Sequence, residues 1–214
     1  MNSTQKFRKS MIYSLVAIAL GVFTVSYILG YCLTGVRWPD NNNPANVYYN
    51  TNGKVTTNQC ISSSQMDSAV TSGITTWGAI RYAGTTTKVA NKKDGQNTVG
   101  WANLGGQTLG ITNYLSNDKW KTVLCNGNYF ANLYEADVRI SSAWRWTSNS
   151  GQCPCAAGSA IYLNSVSAHE FGHVIGLCHV SQQSALMSPS VGVCENKNKT
   201  ADENAGESAI YNCH

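Results

Sequence analysis

Three of the chain's four histidines fall within positions 169 to 179 of the stretch AHEFGHVIGLCH, and no other stretch restricts the fold as tightly. His169 and His173 are four apart, and a helix puts residues at that spacing on one face, a turn from each other. Gly176 suits the left-handed conformation that ends a helix, so the chain turns there and His179 swings back toward the other two. Glu170 stands beside the first histidine on the rim of the same face. Three neutral imidazole nitrogens suit one zinc ion and leave its fourth position to water, which marks a catalytic site. Glu170 is then placed as general base for a water whose pKa the ion brings toward 7 and which attacks a peptide carbonyl. Ser167-x-x-Glu170 also spells a helix capping box, which would make Glu170 a cap. The longer pattern His-Glu-x-x-His-x-x-Gly-x-x-His fixes five positions together and outweighs that reading.

Such a site needs a compartment. Lys6, Arg8 and Lys9 precede a run from Ser10 to Val36 without a charged residue, of which MIYSLVAIALGVFTVSYILG is almost wholly apolar. The run exceeds the 7–15 residues of a signal core and reaches the roughly 20 that span a bilayer. Residues 1–35 therefore read as a secretory signal peptide or an N-terminal membrane anchor, attached through residues 11–30. A buried core helix fits the flanking cations less well. Thr24-Val25-Ser26 is a poor cleavage site, so both forms stay open. Either one sends the rest of the chain out of the cytoplasm. The chain has 15 Lys and Arg against 11 Asp and Glu; without the three N-terminal cations the balance is near +1. No basic stripe remains, which excludes nucleic acid as a partner. Eight cysteines, seven of them beyond the apolar run, imply disulfides in an exported domain. Cys153 and Cys155 are too close to favour each other, and eight cysteines allow 105 connectivities. Loss of Cys32 would leave one of the other seven odd.

One domain, 36–214, follows the leader. GVRWPDNNNPA (35–45) reads as a linker, with the fold beginning near Trp38. NVYYNTNGKV reads as a strand entering an Asn-Gly turn. Met66, Val70, Ile74, Trp77 and Ile80 recur at helical spacing and form one apolar face of about four turns. From Thr85 to Ile140 short β-branched and aromatic runs alternate with Gly and Asn punctuation. In EADVRIS (135–141), Ala136, Val138 and Ile140 alternate with Asp137, Arg139 and Ser141, as in a half-buried strand. Residues 141–156 read as loop. A second helix starts near Asn164 to Ser167 and stops at Gly176, and a last one runs from Ala201 to Tyr211. The fold class is α+β with a mixed sheet.

With these residues in place the chain resembles the metzincin metalloproteases, and among them the matrixins. His169-Glu170-x-x-His173-x-x-Gly176-x-x-His179 is similar to their zinc motif. ALMSPS places Met187 where they have a Met-turn, a hydrophobic floor beneath the histidines. Asp202-Glu203 and Ile210-Tyr211 resemble the acidic pair and aliphatic-Tyr dipeptide of their final helix. RW…VYYN, TTWGAI and VGWANLGGQTLGIT extend the resemblance over roughly residues 37–212. It implies a zincin-like fold: a twisted mixed sheet with a first long helix, an active-site helix and a C-terminal helix. It also implies one catalytic zinc on His169, His173 and His179, with Glu170 as base. Structural calcium is a second cofactor the family suggests. A protein or peptide substrate would lie along an edge strand, for which EADVRIS with Asp137, Val138 and Arg139 is the candidate, although its alternation also suits an interior strand. The loop after Met187, with Pro189 and Ser190, would wall the pocket for the side chain just past the cut bond. Val180 departs from the Ser or Thr usual after the third histidine. No histidine remains for a structural zinc site, because His214 is the only other one. YCLTGVRWPD is a poor match to the inhibitory cysteine segment of the family, and Cys32 reads as a plain membrane-proximal cysteine.

The expectation is thus a monomeric, extracellular zinc endopeptidase, secreted or anchored. The alternative is a catalytically inactive metzincin-like domain acting as an extracellular protein-binding module, and the presence of Glu170 favours the enzyme. A small disulfide-stapled adhesin would explain the cysteines but not the histidines.

Overall fold

The β-branched and aromatic runs pair into one seven-stranded sheet in the computed structural model, which describes residues 30–40, 43–57, 59–116, 122–148 and 153–213. In chain order the strands are β1 (Cys32–Leu33), β2 (Val36–Arg37), β3 (Ala45–Tyr49), β4 (Ile80–Thr85), β5 (Thr98–Ala102), β6 (Gly110–Ser116), β7 (Thr122–Cys125), β8 (Asn128–Ser141), β9 (Trp146–Thr147), β10 (Ile161–Tyr162) and β11 (Leu177–Cys178). The helices among the described residues are α1 (Ser63–Thr75), α2 (Leu163–Val174) and α3 (Ala201–Tyr211). Strands β4, β3, β5 and β8 lie side by side and parallel, and β6 adds antiparallel on the far side of β8. The long β8 serves two sets of neighbours: its first residues pair with β7 and β2, its later ones with β5 and β6. This is the α+β architecture with a mixed sheet that the patterning predicts.

EADVRIS is not an edge. It lies inside β8, flanked by β5 on one side and β6 on the other; among the described residues β6 pairs only with β8 and leaves a free margin on that side of the sheet, and β4, paired only with β3, ends the other side. Nor is it half-buried. Ala136, Val138 and Ile140 face the core as expected, but Glu135 and Asp137 are 4% and 3% exposed. Their carboxylates are covered because they accept backbone N–H groups from an overlying loop and the start of β5: Asp94 and Gly95 of the loop donate to Glu135, and Asn91 and Lys92 of the loop, with Thr98 of β5, donate to Asp137. A polar face reads the same in sequence whether water or a backbone loop satisfies it.

α1 starts from a capping box, Ser62 with Gln65, and buries Met66, Val70 and Ile74. Each such side chain contributes roughly 1.5–3 kcal/mol on burial. Trp77 is buried beyond the helix end, and Ile80 already opens β4. Trp77 Nε1 donates to the Ala168 carbonyl at 2.9 Å, and Ser167 Oγ donates to the Val70 carbonyl at 3.0 Å, so the two helices are locked at the level of the histidines. Ser167 therefore sits in mid-helix and caps nothing.

The folded unit begins at Tyr31, not at residue 36 or Trp38. β1 pairs antiparallel with β11, matching Cys32 to Cys178, and those two cysteines form a disulfide. β2 joins the sheet through β8. The segment read as linker is thus structural, and Cys32 pairs with Cys178, so none of the other seven cysteines is left odd. The other bonds are Cys60–Cys155, Cys125–Cys213 and Cys153–Cys194, so Cys153 and Cys155 do pair elsewhere. β9 adds a short strand within the region read as loop, paired parallel to β10. No helix among the described residues is long and apolar enough to cross a membrane. The apolar run that ends at residue 30 lies outside the described residues, except for Gly30.

Candidate active site

α2 carries the first two histidines on one face, and the chain leaves it at Gly176 with φ +102°. A Cβ there would stand 2.3 Å from the Val36 carbonyl oxygen, so glycine is needed for the close approach as well as the turn. β11 then returns His179 to the cluster. The three Nε2 atoms are 3.1–3.2 Å apart in every pairing. A nearly equilateral triangle of that size has a circumradius of about 1.8 Å, just inside the 2.0–2.1 Å of a zinc–imidazole bond, so one ion reaches all three nitrogens. Nδ1 of His169 and Nδ1 of His173 each lie 2.8 Å from a carbonyl oxygen, of Leu186 and Leu177 respectively. Donation of the Nδ1 proton to those carbonyls turns the Nε2 lone pairs toward the shared point. Burial lowers the pKa of all three, His169 to about 3 with the neighbouring His173 adding to the effect, so the rings are neutral. Among the described residues this is the one group of three or more His, Cys, Asp or Glu able to hold a metal.

Glu170 is buried, and burial raises its carboxyl pKa to about 7 against a hydrogen bond from Thr112. Thr112 Oγ1 lies 2.7 Å from Glu170 Oε2 and 3.0 Å from the Glu170 carbonyl, which ties the free strand β6 to the active-site helix. Sequence spacing gives no hint of this contact, because 58 positions separate the two residues.

Met187 is buried against the helix that carries the first two histidines. Its sulfur occupies the space a side chain on Gly172 would need, 2.3 Å from the position of that Cβ. Its backbone is held on both sides: the carbonyl accepts from Val180 N, and the N–H donates to Glu203 Oε1 at 3.2 Å. Glu203 also forms the capping box of α3 with Thr200. Burial pushes its pKa up, but the hydrogen bonds from Thr200 and Met187 outweigh it and the net shift is downward. The acidic pair noted in the sequence thus contains the residue that fixes the methionine turn.

A cavity of about 710 Å³ opens beside the cluster, and His169, Glu170, His179, Pro189 and Ser190 all line it. The buried Lys197 closes its outer loop by donating from Nζ to the Gln183 and Ser190 carbonyls at 2.5 and 2.6 Å. Lys197 carried no signal in the sequence. Asp137, Val138 and Arg139 do not line this cavity: Val138 is in the core, Asp137 holds the overlying loop, and Arg139 lines a different cavity. The structure brings together His169, Glu170, His173, His179, Met187, Pro189 and Ser190, and leaves out the three residues of β8.

Comparison with known proteins agrees with this geometry. Metalloendoproteinase 1-MMP of Arabidopsis thaliana is 45% identical over 53 residues, which are 24% of this chain and 15% of that protein. The chain thus matches only a small share of that relative's length. A family profile described as Matrixin matches residues 38–212, most of the folded unit. This chain belongs to the matrixin family.

Proposed function

We propose that the protein is a zinc-dependent endopeptidase acting outside the cytoplasm, with His169, His173 and His179 as metal ligands and Glu170 as general base. The observation that carries this reading is the convergence of three neutral Nε2 atoms on one point beside a buried carboxyl. Zinc bound there would polarise a peptide carbonyl and ease deprotonation of water. Glu170, buried in the wall of the same cavity as the histidines, is suited to take that proton and deliver it to the leaving amine. Thr112 holds the carboxylate in place. The substrate lies along the free margin of β6, adding to the sheet by backbone hydrogen bonds. Its side chain past the cut bond enters the cavity walled by Pro189 and Ser190. Four disulfides support an oxidising compartment, and the basic-then-apolar start of the chain supports export, as a leader or as an anchor.

The test is zinc content and cleavage of a denatured protein by the oxidised chain. Wild type is expected to hold about one zinc and to cut in a chelator-sensitive way. Glu170→Ala should keep the metal and lose at least 100-fold in rate, within the range of a general base. Equal cleavage by both forms would refute the role of Glu170. Absent cleavage by folded, zinc-loaded wild type would favour the inactive binding module.

A further inference from the structure

A second cavity, of about 440 Å³, is lined by Arg139, Lys92, Asn50, Asn52, Asn91 and Trp101. Arg139 alternates along β8 with the core residues Val138 and Ile140, so its side chain leaves the sheet on the face away from α2. Its Nε is buried without a hydrogen-bond partner, and among the described residues the guanidinium makes no hydrogen bond or ion pair. Asp137, two positions back on the same face, spends its oxygens on the N–H groups of Asn91, Lys92 and Thr98. Lys92 is exposed on the rim, and its ammonium has no ion pair among the described residues. Two cations thus face one concavity without a counter-charge, and a half-desolvated guanidinium is costly to leave so.

The cavity lies within the ~300–1,000 Å³ usual for small-molecule sites and is far larger than one inorganic anion needs. A planar guanidinium matches a carboxylate in two parallel hydrogen bonds. The Asn52 and Asn91 side chains, without hydrogen bonds among the described residues, offer both donors and acceptors, as hydroxyl groups require. Asn50 is committed, donating to the Thr87 and Lys88 carbonyls, and makes a fixed wall. We propose that this cavity binds a carboxylate-bearing, hydroxyl-rich molecule of monosaccharide size, a uronic acid unit, at a site separate from the histidine cluster.

The test is titration of the full, oxidised, zinc-loaded chain with sodium glucuronate, following the Nε–Hε resonance of Arg139, identified by its absence in Arg139→Gln. Saturable binding is expected, with glucose and acetate each at least 10-fold weaker. Arg139→Gln should abolish it and the exposed-site variant Lys92→Gln should weaken it several-fold, with cleavage rates unchanged in both. Should Arg139→Gln fail to fold, Lys92→Gln read by calorimetry decides. Binding of glucose or acetate as tight as that of glucuronate, or glucuronate affinity unaltered by the substitutions, would overturn the proposal. The readout is binding, so it stands or falls apart from the peptidase reading.

Discussion

Glu170 sets a buried carboxyl in the wall of the cavity that His169 and His179 also line. Its folded pKa of about 7 lies above the ordinary 4.5, so in metal-free protein its contribution to stability is complete below about pH 4.5 and is lost as pH rises through 7. Glu170→Gln removes the ionisation and keeps a partner for Thr112. Relative to wild type, the chelated variant should therefore gain stability between pH 5 and pH 8. Urea midpoints across that range check this, and a difference that does not change with pH would contradict it. The histidines were legible in the sequence because helical spacing is local. Thr112 and Glu203 were not assigned roles, because their partners are 58 and 16 positions away and meet them only through the fold.

Among the elements, α2 was legible as a helix, although it begins at Leu163, without a side-chain cap and before the residues that read as its start. The strand EADVRIS was legible as a strand but not as an interior one, since alternation reports which side chains share a face and says nothing of which strands lie alongside. The least legible element is the strap from β1 to β2. The Thr34 N–H and hydroxyl both donate to the Gly176 carbonyl, at 2.8 and 2.9 Å, and the Cys32–Cys178 bond lies next to His179. Replacing both Cys32 and Cys178 by Ala should lower stability by about 2–5 kcal/mol. Because the bond anchors the strand that leads to His179, the proposed third ligand, zinc should also dissociate at least several-fold faster. Chelator-competition kinetics reads this, and an unchanged zinc off-rate in a destabilised protein would show the strap to be structural only.

At the scale of the whole molecule, the disulfides close sequence separations of 146, 95, 88 and 41 residues around a continuous apolar core. The fold is therefore expected to survive removal of the proposed metal. Zinc at 100 times its Kd adds about 2.7 kcal/mol, and for a domain of this size that is a loss of about 5–11 °C in Tm on chelation. Calorimetry with and without chelator should show that shift with the near-ultraviolet circular dichroism retained. Complete unfolding at 25 °C on chelation would contradict it. The motif in residues 169–179 by itself picked out the three converging histidines, the carboxyl beside them and the helix that carries the first two, because all of these are set by spacing within three turns of chain. The tertiary structure alone decided which strands are free edges, which cysteines meet, and that the segment before residue 36 belongs to the fold. Those are contacts between distant residues, and a pattern read along one chain records a residue's own face but not the neighbour that covers it.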